Sequence, residues 1–285
     1  MKRTLTGLIL FAGLMGFILL TGVSVKGVAA GQFVFDAFLL FFCAASTLEM
    51  VKVFREKGYK PILAPLILFL AAVYPVTYFF DINGFAVAAA VVFMVAFGCF
   101  VFDNKRQLND FFATLLILIY PLMSFSLSLY LTINFGMLPL LIAAGAAMCA
   151  DTCAYYFGSL IKGPKIFPKI SPKKTYAGSI FGIAGGVLGS ALVYLLFELA
   201  ELPVNDLVRF TDVFTHPILF YLLVGGIIGI VSEIGDLAAS RLKRALQIKD
   251  FSHAFGPQGG IMDRLDSIIF AILFMSSVMV FVPLQ

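Results

Sequence analysis

The chain has 285 residues, of which 61% are hydrophobic and 13% charged, with a net charge of +4. A water-facing domain carries roughly a quarter charged residues, so this chain cannot cover a soluble surface. The same apolar content excludes intrinsic disorder.

Apolar runs of spanning length recur along the whole chain. A helix needs about 20 residues to cross a ~30 Å hydrocarbon core, and the every-second-residue alternation of a barrel strand is absent. The first run, 4–25, follows Lys2 and Arg3. It is long for a signal-peptide core, so it reads as a retained span even though Val28-Ala29-Ala30 has the look of a cleavage site. Further runs lie at 32–51, 61–80, 84–102, 111–133, 136–157, 177–200, 217–238 and 264–284. The expected fold is an all-α polytopic membrane protein of about nine transmembrane helices. Residues 1–110 form an N-terminal transmembrane region of about four helices, and 111–285 a second region with inner loops 158–176 and 241–262.

Basic residues test this count. With the N-terminus inside, eighteen of the twenty Lys and Arg fall on inner segments, and only Lys26 and Arg209 fall outside. That follows the positive-inside rule and places the C-terminus outside. The four cysteines, Cys43, Cys99, Cys149 and Cys153, sit in apolar runs without a CxxC pair and read as buried free thiols. Gly178, Gly182 and Gly186, Gly185 and Gly189, and Gly225 and Gly229 repeat at intervals of four, a spacing that lets helix backbones approach closely.

Ionisable residues in or beside spans are costly and mark candidate sites. Asp151 lies in the sixth run, Glu233 and Asp236 at the inner end of the eighth, and Asp263 and Asp266 at the start of the ninth. Asp263 and Asp266 are three apart and share a helix face. All five stand toward the inner end of their helices, as a divalent-metal site requires. Simple pairing with nearby bases is the competing reading. Those bases are Lys173, Lys174, Lys243, Arg244, Lys249 and Arg264, interleaved with Gly256, Gly259 and Gly260. Glycines permit close approach of backbone to phosphate, so the inner mouth looks suited to a metal-bound, highly charged phosphate.

The stretch Ser240-Arg-Leu-Lys243-Arg244, Lys249-Asp250 and Gly259-Gly260-Ile-Met-Asp263-Arg264-Leu-Asp266 closely resembles the signature of the phosphatidate cytidylyltransferases, or CDP-diacylglycerol synthases. Gly235-Asp236-Leu237 looks like the family's Gly-Asp-Leu segment. Asp151-Thr-Cys-Ala-Tyr155 and Ile170-Ser171-Pro-Lys173-Lys174-Thr175 look like its middle region. The resemblance covers roughly residues 140–285, and spans one to four match only in being apolar. Two positions depart from the pattern: Gln258 stands where the family usually has His, and Ala177 where it usually has Glu. His253 is the nearby candidate to stand in for the former.

The resemblance implies transfer of CMP from CTP to phosphatidic acid, with release of pyrophosphate. It implies Mg2+ as cofactor, a second metal being an open alternative. Asp236, Asp263 and Asp266 are expected as metal ligands, with Asp151 as a further contributor. Lys243 and Arg244 complete the expected catalytic set. Substrate contacts are expected from Ser171, Lys173, Lys174, Thr175, Lys249, Asp250, Gly259, Gly260 and Arg264. The expected partners are CTP, phosphatidic acid and membrane lipids, with no nucleic acid, and a homodimer is left open. The expected location is the cell inner (plasma) membrane, with the site facing the cytoplasm. The alternatives are a cytidylyltransferase or kinase acting on another lipid and, further off, a transporter.

Overall fold

The computed structural model describes residues 18–23, 30–168, 170–254 and 259–282. Most of the first expected span lies outside these residues, as do Lys2, Arg3, Lys26, Lys169, Gly256 and Gln258. The described residues form helices and no strand, apart from two isolated bridges, Gly136 with Asp206 and Lys165 with Thr175.

Six helices among the described residues are long and apolar enough to cross a membrane. They are α1 (Ala30–Glu56), α2 (Leu63–Phe102), α3 (Leu108–Phe135), α4 (Met137–Ile161), α5 (Tyr176–Leu199) and α6 (Pro217–Ala245). A seventh helix, α7 (Met262–Met279), carries Asp263, Arg264 and Asp266 in its first two turns. Large side chains such as Phe79, Phe102 and Leu160 stand exposed on the outside of the bundle. In water such a surface would be untenable, and the molecule is a multi-pass membrane protein.

The expected count of nine is not reproduced by length and hydropathy alone. One reason lies in α2, whose 40 residues would run about 60 Å if straight. Asp81 adopts φ 55 and ψ −144 inside it, and the chain turns back there. Phe69 and Phe85 consequently meet with ring centroids 5.6 Å apart, where a straight helix would separate them by about 24 Å. The element is a hairpin of two arms that match the runs expected at 61–80 and 84–102.

Helix α6 also departs from its expected end. The apolar run stops near 238, but the helix continues to Ala245, so Arg241, Lys243 and Arg244 lie on a helix and not in a loop. Ala, Leu, Arg and Lys are all good helix formers, and Lys243 and Arg244 in the last turn oppose the negative end of the helix dipole. Hydropathy registers where lipid ends, whereas hydrogen bonding decides where the helix ends.

The glycine ladders behave as their spacing predicts. An ideal Cβ on Gly186 would lie 2.3 Å from the Gly225 carbonyl oxygen and 2.9 Å from the Gly229 Cα. Helix α5 therefore packs backbone to backbone on α6, and its neighbouring face meets α4. In lipid, this close van der Waals contact replaces the hydrophobic drive of soluble cores. The three helices form a rigid frame, with α7 packed across α4 and α6.

Candidate active site

Four helices and two loops, the α4–α5 loop and the α6–α7 loop through Asp250, enclose a cavity of about 840 Å³ at one end of this frame. Helix α4 contributes Asp151, Tyr155 and Ser159, and α5 contributes Gly178 and Ser179. Glu233, Asp236 and Lys243 come from α6, and Asp263, Arg264 and Asp266 from α7.

The loop between α4 and α5 closes on itself. The Lys165–Thr175 bridge is supported by the Ile166 N–H donating to the Lys174 carbonyl (3.3 Å) and the Tyr176 N–H to the Pro164 carbonyl (3.2 Å). That closure brings Ser171, Lys173, Lys174 and Thr175 to the cavity wall. Thr175 then caps α5, its hydroxyl oxygen accepting from the Gly178 N–H at 3.1 Å. Capping fixes the first turn of α5, whose N-terminus offers a dipole suited to anions.

Carboxylates and bases alternate around the cavity. Lys174 Nζ lies 2.8 Å from Asp236 Oδ2 and 3.7 Å from Glu233 Oε1. Ser179 donates to the same Glu233 oxygen at 2.5 Å. Opposite, Lys243 Nζ is 2.8 Å from Asp263 Oδ1 and 3.8 Å from Asp266 Oδ2. Asp151 Oδ2 accepts from the Ser267 hydroxyl at 2.7 Å, and Asp266 Oδ1 from the Ser267 N–H at 2.9 Å. A Cβ on Gly235 would fall 2.6 Å from the Asp266 carbonyl oxygen. The missing side chain lets α6 and α7 touch there, and so brings Asp236 beside Asp266.

Asp263 is engaged on both oxygens. Besides the Lys243 pair, its Oδ2 accepts from the Phe251 N–H (2.8 Å) and the Gly260 N–H (2.9 Å). It therefore braces the loop that precedes its own helix. Among the described residues no cluster of three or more His, Cys, Asp or Glu is placed to hold a metal ion. Mg2+ is commonly bound through only one or two carboxylates plus water and substrate phosphates. Asp236, with a second oxygen beyond its Lys174 bond, and Asp266, whose Oδ2 has only the 3.8 Å approach of Lys243, fit that chemistry as hard donors.

Every expected site residue lines the cavity except Arg244, Lys249, Gly259 and Gly260. Arg244 is exposed, its Nη1 donating to the Ile248 carbonyl at 3.5 Å, and Lys249 is exposed as well. The two glycines are buried in the loop behind the wall.

A sequence profile of the cytidylyltransferase family matches residues 2–282. The chain belongs to this family. It is 36% identical over 171 residues to the phosphatidate cytidylyltransferase of Aquifex aeolicus, covering 60% of this chain and 58% of that protein. It is 34% identical over 137 residues to the one of Brucella suis, covering 48% and 45%, and 30% identical over 143 residues to the one of Bacillus subtilis, covering 50% and 47%. The chain spans about half the length of the curated relatives it matches. The profile match reaches well ahead of residue 140, so the N-terminal helices belong to the family too, beyond being apolar.

Some residues at this cavity escape the sequence motifs. Ser179 and Ser267 hold Glu233 and Asp151. Ser179 is one helical turn past Thr175 and Ser267 adjoins Asp266, so proximity to the motifs was a usable signal. Glu49 is the larger omission. It sits on α1, and its carboxylate accepts three hydrogen bonds from the loop and first turn of α7. The rule that flags Asp151, an acid inside an apolar run, applies to it equally.

Proposed function

We propose that this protein transfers CMP from CTP to phosphatidic acid, forming CDP-diacylglycerol and pyrophosphate. The observation that carries the reading is the single cavity in which both recognised segments, far apart in sequence, meet as alternating carboxylates and bases.

In the proposed reaction a phosphate oxygen of phosphatidic acid attacks the α-phosphorus of CTP. The new P–O bond forms as the bond to the β-phosphate oxygen breaks, and pyrophosphate leaves with the electron pair. The attacking oxygen is already anionic, so no base has to take its proton. Such transfers depend on positioning and charge neutralisation. Asp236 and Asp266, with Asp151 beside them, would hold Mg2+. Asp263 would join them only by giving up Lys243 or a loop amide. The chemistry that Mg2+ supplies when bound is charge neutralisation on the triphosphate and on the departing pyrophosphate. Lys173, Lys174, Lys243 and Arg264 meet the remaining phosphate charge, and Ser171 and the capped start of α5 orient the nucleotide. Arg244 and Lys249 would act from the rim, where anionic headgroups approach.

The wider reading is a nine-span chain in the cell inner membrane, N-terminus and cavity in the cytoplasm and C-terminus outside. Residues 111–285 would carry catalysis, and 1–110 would support them. The α2 hairpin favours this count, because each arm is long enough to cross. Helix α7 also favours it, being about 27 Å long. A homodimer remains part of the proposal for assembly, to be read from mass in detergent.

The test is pyrophosphate release by the purified protein with CTP, phosphatidic acid and Mg2+, omitting one component at a time. Release that needs all three, with CDP-diacylglycerol as product, is the expected result. A folded protein that releases pyrophosphate only with a different lipid phosphate would replace the substrate, and no release with any lipid phosphate would overturn the reading.

A further inference from the structure

We infer that Glu49, in the N-terminal helix α1, is a positioning residue that holds the start of α7 and its preceding loop in place for catalysis. The inference rests on the function proposed above, but its structural half can be tested without it.

The first N–H groups of any helix lack partners within the helix. Helix α7 has no side-chain cap of its own. The cap comes instead from Glu49, more than two hundred residues earlier. Glu49 Oε1 accepts from the Ile261 N–H and Oε2 from the Met262 N–H, both at 2.9 Å. Oε1 also accepts from the Ser252 hydroxyl at 2.5 Å. A negative charge at this end of α7 also opposes the helix dipole.

Two carboxylates thus clamp the base of one loop. Asp263 ties Phe251 to Gly260 from within α7, and Glu49 ties Ser252 to Ile261 and Met262 from α1. Gly260 is enclosed between them. A Cβ there would lie 2.4 Å from Ser252 Oγ and 2.6 and 2.7 Å from the Glu49 oxygens. Glu49 does not line the cavity, so it touches no substrate. It acts through Asp263, Arg264 and Asp266, whose approach to the cavity depends on how α7 begins. In this way α1 sets the geometry of a wall to which it contributes no surface.

The experiment uses the full chain in detergent, with Glu49→Ala, Glu49→Gln, Gly260→Ala and the double variant Glu49→Ala/Gly260→Ala. Each is measured for thermal unfolding, for kcat and KM with CTP, and for amide exchange over residues 250–262. Glu49→Ala is expected to stay folded, to lose about 10–100-fold in kcat and to keep KM for CTP within about threefold. Exchange at Ile261 and Met262 should rise about tenfold or more. Glu49→Gln should recover only part of kcat, because its NH2 would face the Met262 N–H. Gly260→Ala should reproduce the loss, and the double variant should be less impaired than the two losses combined.

A kcat for folded Glu49→Ala equal to wild type would overturn the inference. So would a loss shared equally by the double variant and the product of the singles. If Glu49→Ala does not fold, Glu49→Gln takes its place with the same criteria. A wild-type chain inactive toward CTP and phosphatidic acid would sink the proposed function instead, while unchanged exchange at Ile261 and Met262 would still refute the clamp.

Discussion

Carboxylates stand at both ends of this bundle, and they are treated differently. At the cavity end, Glu233, Asp236, Asp263 and Asp266 share two lysines, Lys174 and Lys243, and face open space. The other end, about 33 Å away along α5, holds Glu198 and Asp36. Glu198 accepts from the Phe210 N–H (2.8 Å), the Thr211 hydroxyl (2.7 Å) and the Tyr221 hydroxyl (2.9 Å). Asp36 accepts from Gln32 and Thr132, each at 2.8 Å, and from Tyr74 at 3.4 Å. Neither forms an ion pair among the described residues. An acid saturated by fixed neutral donors serves to fasten helices and turns. An acid paired with a flexible lysine beside a cavity can exchange that partner for a metal or be displaced by a phosphate. An acid in a membrane helix is thus a functional candidate only until its partners are known.

Four substitutions sharpen or break the contrast. The largest effect is expected from Asp266→Asn, which keeps a similar shape but removes a metal-donor charge. Turnover should fall about 10²–10³-fold in a protein whose thermal unfolding is unchanged, and near-normal turnover would remove Asp266 from the site. Glu198→Ala should do the opposite. It strands an N–H and two hydroxyls, costing about 3 kcal/mol of stability, while the folded fraction keeps its kcat. A kcat defect without a drop in melting temperature would erase the distinction between the two ends.

Lys174→Met comes third. It leaves Glu233 and Asp236 without their shared cation, and a loss of about 30-fold in kcat/KM for CTP, or about 2 kcal/mol, is expected. A loss confined to stability would make Lys174 a fastener and not a phosphate ligand. The smallest effect belongs to Asp36→Asn. The amide oxygen keeps an acceptor for Thr132 or Gln32, so about 1 kcal/mol of stability should be lost and activity should not change. Abolished activity there would show that the outer carboxylates are more than fasteners.

Much of this protein is legible in its sequence. Composition fixed the membrane class, because 13% charged residues cannot solvate a surface. Apolar run length located the helices, since lipid leaves the backbone few other ways to satisfy its hydrogen bonds. The glycine intervals located the α5–α6 contact, because residues four apart share a helix face. The signature from Ser240 to Asp266 and the segment from Ser171 to Thr175 pointed to one site.

Tertiary structure decided what depends on contacts between distant residues. It folded α2 back at Asp81, a backbone reversal that hydropathy does not encode. It carried α6 past the apolar run to Ala245, because backbone hydrogen bonds do not end where lipid does. It separated Asp263, which braces a loop, from Asp236 and Asp266, which line the cavity on either side of the α6–α7 contact at Gly235. It also joined Glu49 to Ile261 and Met262, a pairing no local pattern announces. Residue type and spacing fix which groups are present and which helix face they share. Only packing fixes which donor each acid finds, and that partner decides whether the acid holds structure or binds a ligand.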